Sequence, residues 1–244
     1  MKMKIEADLH THSVASGHAY STVSELALAA AERGLKMIAI TDHGPAIPGG
    51  PHLYHFSNLK VLPEYLHGVR LLKGVEANIS SNGEIDLPEE ILRQLDFVTA
   101  GIHTFANYDN TTMEEHTAAT IAAMRNPYVM MITHPENAFF PVDIEAIVKA
   151  AAEYKVILEL NASSFDKFRF GKRGDVEKVL KMCRLAREYG VPLCLNSDAH
   201  IHLDVGNIEP LAEIINMAGL KKEDVLNTSV ETIERFLAEK KTVG

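Results

Sequence analysis

Short apolar runs alternate along the chain with stretches whose apolar residues recur at helical spacing. The runs are near-continuous, which is typical of parallel strands that are buried on both faces of a sheet. They predict seven strands: KIEADL near the N-terminus, KMIAIT at 36–41, LLKGVE at 71–76, DFVTAG at 96–101, YVMMIT at 128–133, KVILELN at 155–161 and VPLCLN at 191–196.

Capping signals mark where the predicted helices begin and end. Thr22 and Glu25 have the spacing of a capping box, and Gly34 follows as a helix-ending residue. Further helices are predicted after Pro88, from Asp143 to about Tyr154, from Asp175 to Tyr189, from Ile208 to Ala218 and from Val230 to about Lys240. Residues 44–70 contain the turn-forming sequence GPAIPGGP and are predicted to be a loose connection that shapes a pocket.

The order of these elements predicts the α/β class, with a parallel sheet and helices outside it. Seven strands in a chain of 244 residues favour closure into a barrel, and an open doubly wound sheet is the alternative. No linker rich in Ser, Gly or Pro divides the sequence. Residues 1–244 are therefore expected to form a single domain.

Charge and composition disfavour several classes of partner. The chain has 24 Lys and Arg against 33 Asp and Glu, a net charge of −9, and no basic run, so a nucleic-acid or anionic-membrane partner is not expected. The longest apolar stretch, Leu26 to Ala31, is far shorter than the roughly 20 residues of a membrane span. The N-terminus has no signal-peptide core, and Cys183 and Cys194 form no CxxC motif. We expect a cytoplasmic protein, and the sequence is compatible with a homo-oligomer.

Histidine is abundant, with 12 residues, and it clusters where predicted strands end. Each strand is followed by a residue that can bind a metal ion or orient a ligand: His10 and His12, then Asp42 and His43, then Glu76, His103, His134, Asn161, and finally Asp198 and His200. In a parallel barrel the carboxyl ends of all strands open onto one face. One such histidine could simply be packed in the core, but the whole series predicts convergence on one site.

The types of ligand constrain the ion. Imidazoles with a few carboxylates suit zinc, manganese or iron better than magnesium or calcium, which prefer oxygen ligands. The set is too large for one tetrahedral ion. Two or three ions are therefore predicted, with Glu76 as a natural bridge between them.

Several motifs together carry a family resemblance: DLHTHS, ITDHG, the glutamate after the third strand, GIHT, THP and NSDAH. On these motifs nearly the whole chain resembles the PHP domain family, named for polymerase and histidinol phosphatase. HAYST, ITDHGP, GVEANI, NGEID and LELNASSF make it most similar to the YcdX-type stand-alone phosphatases.

The resemblance implies a distorted (βα)7 TIM-like barrel with a metal site at the carboxyl ends of the strands. It implies three divalent ions, zinc first, with manganese or iron as alternatives. The first ion would be bound by His10, His12, Glu76 and Asp198, the second by Glu76, His103 and His134, and the third by His18, His43 and His200.

The activity implied is hydrolysis of a small phosphomonoester by a hydroxide that bridges two metals, with Glu76 and Asp198 as catalytic residues. Histidinol phosphate, a sugar phosphate, a nucleotide and an oligonucleotide end all fit this chemistry. One alternative is a noncatalytic, metal-stabilised module that binds a partner protein. Another is an amidohydrolase-type C–N hydrolase, although the fourth predicted strand lacks the lysine that usually bridges metals in that class.

Candidate substrate contacts lie in two loops. Asn161 and Ser163 follow the sixth predicted strand, and the segment FRFGKRG contributes the cations Arg169, Lys172 and Arg173, which match phosphate. His52, in PHLYHF, is expected to form a wall of the pocket. Asp42, beside His43, is a candidate for orienting an imidazole.

Overall fold

A computed structural model describes residues 3–166 and 174–241 of the chain. Within these residues the strands are β1 (Ala7–Thr11), β2 (Met37–Ile40), β3 (Tyr65–Leu66), β4 (Val69–Asn78), β5 (Phe97–Gly101), β6 (Met131–Ile132), β7 (Ile157–Asn161) and β8 (Leu193–Asn196). The α-helices are α1 (Val23–Glu32), α2 (Leu53–Asn58), α3 (Glu89–Leu92), α4 (Met113–Met124), α5 (Ile144–Tyr154), α6 (Val176–Tyr189), α7 (Ala212–Ala218) and α8 (Val230–Lys241).

Seven of the strands pair in parallel in the order β1-β2-β4-β5-β6-β7-β8, and β3 pairs antiparallel with β4 at its start. The two ends of this sheet meet, because Thr11 and Ala199 form a parallel bridge and the His12 N–H donates to the Ala199 carbonyl at 2.8 Å. The sheet is therefore a nearly closed, distorted (βα)7 barrel, as predicted, and the open doubly wound alternative is wrong.

A buried asparagine joins the first and last strands across the seam. The Asn227 amide donates to the carbonyls of Ala7 at 2.8 Å and Leu195 at 2.7 Å, and its Oδ1 accepts the Leu195 N–H at 3.1 Å. The Asn227 side chain thus provides hydrogen-bond partners for backbone groups that the incomplete pairing of β1 with β8 leaves unpaired.

Replacing Asn227 with alanine is expected to lower the free energy of unfolding by about 3 kcal/mol, because each buried backbone group left without a partner costs roughly 1–3 kcal/mol. Urea denaturation followed by circular dichroism measures this. Asn216→Ala, at an exposed position on α7, is the matched control and should change stability by less than about 0.5 kcal/mol. Equal stability of the two variants would contradict this role for Asn227.

The register of β1 explains how adjacent residues can serve both core and site. Asp8 pairs with Ile38 and Thr11 with Ile40, so β1 contains a bulge with one extra residue. Leu9 packs in a buried cluster with residues of the other strands and of α8, while His10 beside it reaches the cluster of predicted ligands. In a regular strand, neighbouring side chains point to opposite faces. The bulge interrupts this alternation between Leu9 and His10.

Three elements were not predicted, and the helix predicted from Ile208 begins as an α-helix only at Ala212, after a 3-10 turn at Glu209–Leu211. The hairpin of β3 and β4 turns at His67 and Gly68, which have φ values of 52° and 80°, as a type I′ turn requires. α2 forms inside the segment predicted to be loose. α4 was not predicted, although its capping box of Thr112 and Glu115 is visible in the sequence.

The predicted caps of α1, α5 and α6 are confirmed. Thr22 and Glu25 form a capping box, Asp143 and Asp175 cap α5 and α6, and Gly190 ends α6 in the left-handed conformation. Across residues 3–166 and 174–241, every helix is too short or too polar to cross a membrane.

Candidate metal centre

Glu76, near the end of β4, lies at the centre of the predicted ligands and is fully buried. Its Oε2 lies 3.2 Å from His10 Nε2, 3.5 Å from His12 Nε2 and 3.0 Å from His43 Nδ1. One carboxylate therefore contacts residues from several strand ends, as expected of a bridging ligand.

The second oxygen of Glu76 faces the ends of β5 and β6. Oε1 lies 3.2 Å from His103 Nε2 and 3.0 Å from His134 Nε2, and these two nitrogens are 3.2 Å apart. The Thr133 hydroxyl donates to the same oxygen at 2.7 Å, which fixes the rotation of the carboxylate. Each oxygen of Glu76 thus serves its own group of imidazoles.

Asp198 and His200, after β8, complete the cluster on the side of β1. Asp198 Oδ1 lies 3.2 Å from His12 Nε2, 3.6 Å from His10 Nε2 and 3.5 Å from His200 Nδ1. The more exposed His18 ring lies 5.0 Å from that of His43 and 4.9 Å from that of His200, centroid to centroid. All nine predicted metal ligands therefore lie in one cluster.

Close approach at the ends of β5 and β6 requires a glycine. A Cβ on Gly101 would lie 2.3 Å from Thr133 Oγ1, 2.9 Å from His134 Cε1 and 3.1 Å from His103 Cε1. The absence of a side chain at Gly101 lets both imidazoles and the hydroxyl reach Glu76.

Asp42 orients His12 rather than its neighbour His43. Its carboxylate accepts from the Ser13 N–H and from the hydroxyls of Ser13 and Ser16, and His55 Nε2 lies 3.2 Å from it. Because the Ser16 hydroxyl donates to Asp42, it must accept a hydrogen from His12 Nδ1, 3.2 Å away. The lone pair of His12 is then on Nε2, toward the centre.

Two further networks fix the other inward nitrogens. Glu159 accepts from His10 Nδ1 at 2.7 Å and also accepts the His134 backbone N–H at 2.8 Å. Asn78 Oδ1 accepts from His103 Nδ1 at 2.9 Å, and its amide nitrogen donates to Asp86 at 2.6 Å. His10 and His103 therefore also turn Nε2 toward Glu76, an arrangement that is characteristic of metal ligands.

The electrostatics of the cluster favour neutral imidazoles at His12 and His43 beside an ionised Glu76. Burial lowers the pKa of His43 to about 3, although Glu76 opposes this, and burial with the charges of His200 and His43 holds the pKa of His12 well below its usual range. Burial would raise the pKa of Glu76, but His10, His103 and His43 outweigh it and hold that pKa well below its usual range.

His10 lies in the most negative part of the cluster. Burial alone would lower its pKa, but the carboxylates of Glu159, Glu76 and Asp198 outweigh burial and raise the pKa well above the usual range. The same carboxylates would stabilise a divalent cation at His10 Nε2 in place of the proton.

The donor atoms fit metal ions. In the part of the chain that the structure describes, buried His10 Nε2, His12 Nε2, His43 Nδ1 and Glu76 Oε2 have no hydrogen-bond partner, although they lie close together. Buried polar atoms are otherwise almost always paired. Three overlapping sets have ligand atoms within 4.8 Å of one another: His10, His12 and Glu76; His43, Glu76 and His103; and His12, His43 and His200. Imidazole and carboxylate donors in this arrangement suit zinc, manganese or iron.

The residues predicted to contact substrate do not form one cluster as the predicted metal ligands do. Asn161 is buried, and its amide nitrogen donates to Glu159 at 3.0 Å and to Asp198 at 3.1 Å, so it positions two carboxylates. Ser163 is buried in the short 3-10 helix that follows β7. His52 is exposed and accepts the Tyr54 N–H at the start of α2. Substrate binding by these residues stays a prediction.

The predicted phosphate-binding cations Arg169, Lys172 and Arg173 lie outside the described residues.

Glu159 was not among the predicted site residues. It lies in the apolar run VILELN two residues before Asn161, and in a strand residues two apart share one face. A charged residue inside a buried strand, on the same face as a strand-end polar residue, is the signal that identifies it.

Glu159→Gln is expected to weaken zinc affinity and activity by about 10- to 100-fold, because it removes the charge that orients His10 while keeping the side-chain volume. Zinc titration against a chelating dye measures the affinity. Glu153→Gln, at an exposed position on α5, is the control and should match the unmodified protein. Unchanged affinity in Glu159→Gln would contradict an orienting role.

Comparison with known proteins supplies an independent line of evidence. The family model described as "PHP domain" matches residues 8–180. A protein from Thermoanaerobacter sp. (strain X514), named "probable phosphatase", is 46% identical over 240 residues, covering 98% of this chain and 97% of the relative. Another with that name, from Acetivibrio thermocellus, is 47% identical over 240 residues and 98% of each chain.

A solved structure resembles the barrel. It is histidinol phosphate phosphatase from Lactococcus lactis subsp. lactis Il1403, in complex with zinc, L-histidinol and phosphate. It matches with a TM-score of 0.62 and 19% identity, covering 88% of this chain and 94% of that one. At this identity the likeness concerns the fold.

Proposed function

Because the chain belongs to the PHP domain family, we propose that it is a metal-dependent phosphatase that hydrolyses a small phosphomonoester. The observation that carries this proposal is the position of Glu76, whose two oxygens face different groups of imidazoles. A buried carboxylate that lies between two groups of imidazole nitrogens can bind more than one divalent ion. The names of the relatives, probable phosphatases, support the same class of reaction.

The residues present would hold three divalent ions, with zinc preferred and manganese or iron as alternatives. The first would be held by His10, His12, Glu76 and Asp198, the second by Glu76, His103 and His134, and the third by His18, His43 and His200. Ions in such sites lower the pKa of water to about 7, which supplies hydroxide at neutral pH, and they attract phosphoryl oxygens. Zinc in the structural neighbour supports the choice of ion.

The chain's own groups keep this site in one geometry. Hydrogen bonds hold the Nδ1–H groups of His10, His103 and His12, so these imidazoles cannot turn away from the site. The acceptors are Glu159 for His10, Asn78 for His103 and Ser16, itself bound to Asp42, for His12. Glu76 and Asp198 would hold the ions that bind the reacting phosphate, and they are the proposed catalytic residues. Arg169, Lys172 and Arg173 are proposed to bind phosphate when substrate is present.

We further propose that residues 1–244 form one domain in the cytoplasm. The family match ends at residue 180, but β8 completes the sheet and Asp198 completes the ligand cluster. The homo-oligomer that the sequence allows stays a prediction.

Metal content measured together with phosphate release tests the proposal. Protein stripped with a chelator is titrated with zinc or manganese, bound metal is counted by mass spectrometry, and release of phosphate from a panel of phosphomonoesters is measured at each step. We expect three ions per chain at saturation and no turnover of any ester without them. Turnover by metal-free protein, or a saturated protein inactive on every ester, would contradict the proposal.

A further inference from the structure

Asp86, the last residue of the segment NGEID after β4, accepts three hydrogen bonds from two parts of the chain. Its Oδ1 accepts the Asn78 backbone N–H at 2.8 Å. Its Oδ2 accepts from the Asn78 amide nitrogen at 2.6 Å and from the Ala46 N–H at 2.9 Å. Asp86 is not itself a proposed metal ligand, so any effect it has on the metal centre must pass through Asn78 and Ala46.

The contact with Asn78 determines which nitrogen of His103 carries the hydrogen. A carboxylate can only accept hydrogen bonds, so the amide nitrogen of Asn78 must face Asp86. The amide oxygen then faces His103 Nδ1, 2.9 Å away, and accepts its hydrogen. His103 Nε2, 3.2 Å from Glu76 Oε1, is left with its lone pair. Without Asp86 the Asn78 amide can turn over, which would place the hydrogen of His103 on the nitrogen that should bind an ion.

The contact with Ala46 holds a compact loop, residues 44–50, against the same carboxylate. A Cβ on Gly44, at the start of the loop, would lie 2.3 Å from Asp86 Oδ1. A Cβ on Gly50, at its end, would lie 2.6 Å from the carbonyl oxygen of Gly44. The loop therefore packs directly on Asp86, and its two ends lie against each other.

The loop in turn packs on the segment that carries His18. Gly17, directly before His18, has φ of 78°, in the left-handed region that favours glycine. A Cβ on Gly17 would lie 2.3 Å from the carbonyl oxygen of Gly49 and 2.8 Å from its carbonyl carbon. Because the side chain of His18 is exposed, its position depends mainly on this contact between two backbones.

We propose that Asp86 is a positioning residue for two of the three proposed ions. Through Asn78 it turns the lone pair of His103 toward the second ion, and through residues 44–50 it places His18 at the third. The inference rests on the proposed metal centre and phosphatase function. It gives a physical role to NGEID, a segment that contributes to the family resemblance but contains no proposed ligand.

Zinc titration of Asp86→Ala tests whether the loss is selective. Chelated protein is titrated with zinc, bound ions are counted by mass spectrometry, and affinities are measured against a chelating dye. We expect the variant to bind two of its three ions about 10- to 100-fold more weakly than the parent, the size of effect typical of residues that orient ligands. The first ion should bind as in the parent, because Glu159 and Ser16 orient His10 and His12.

Two further variants and a spectroscopic measurement separate positioning from general damage. In the chelated proteins, shown to be folded by circular dichroism, ¹⁵N NMR reports which nitrogen of His103 carries the hydrogen. We expect Nδ1 in the parent and a shift of the hydrogen toward Nε2 in Asp86→Ala. Gly17→Ala, which disturbs only the contact with Gly49, should weaken one ion and leave the His103 signal unchanged. Glu84→Ala, at an exposed position in the same segment, is the matched control and should behave like the parent.

The outcomes distinguish failure of the inference from failure of the function. Three ions bound with parental affinity in Asp86→Ala, an equal weakening of all three, or an unchanged His103 signal overturns the role of Asp86. A parent that does not bind three ions overturns the proposed metal centre. A parent that binds them and releases phosphate from no ester overturns the proposed phosphatase function.

Discussion

Glu76→Gln is expected to reduce phosphate release by more than about a hundredfold and to lower the number of bound ions. Glutamine keeps the volume of the side chain but has one oxygen, whereas both oxygens of Glu76 face imidazoles. Loss of residues that merely orient ligands already costs about 10- to 100-fold, so loss of the shared ligand should cost more. Steady-state kinetics and metal counting on the same preparation measure both effects.

Glu90→Gln, at an exposed position on α3, is the matched control for this change and should behave like the unmodified protein. Circular dichroism establishes that the barrel is intact in both variants. A Glu76→Gln protein with its full metal content and full activity would exclude Glu76 as the bridging residue.

Removal of metal is expected to lower the thermal unfolding midpoint by at least about 5 °C. One site at a hundred times its dissociation constant adds about 2.7 kcal/mol, and each kcal/mol moves the midpoint of a chain of this size by roughly 2–4 °C. Without ions, no positive charge balances the buried carboxylates of the cluster, and the inward imidazole nitrogens have no ion to bind. Differential scanning calorimetry before and after chelation measures the change.

Asp198→Asn separates metal binding from backbone effects. Asp198 has φ of 53°, in the left-handed region that asparagine also tolerates, so the change removes charge without straining the chain. We expect the metal-free variant to be as stable as the metal-free parent, and its gain on zinc addition to be smaller. An equal gain in both proteins would mean that Asp198 does not bind zinc.

The sequence predicted the barrel well because its signals are local. Near-continuous apolar runs are visible without knowledge of the partners of each strand, and helix caps such as Thr22 and Asp175 act within four residues. The hairpin of β3 was missed because its signal, His67 followed by Gly68, lay in residues 44–70, a segment that begins with the turn-forming sequence GPAIPGGP and was predicted to be loose. The bulge in β1 depends on its pairing with β2, which no local pattern indicates.

The metal centre was predictable for a related reason. Equivalent ends of parallel strands must meet, so His10, Glu76 and His134 could be brought together by topology alone. Roles set by hydrogen bonds could not be predicted in this way. Asp42 was expected to orient an imidazole, but only its contact with Ser16 indicates that the imidazole is that of His12.

The most direct test of the metal-dependent phosphatase activity is release of phosphate from p-nitrophenyl phosphate. Chelated protein is compared with protein reloaded separately with zinc and manganese, and His134→Ala is assayed beside it. We predict turnover that requires added metal and is lost in His134→Ala. Protein confirmed to hold its metals and yet inactive, or a His134→Ala variant as active as the parent, would contradict the account.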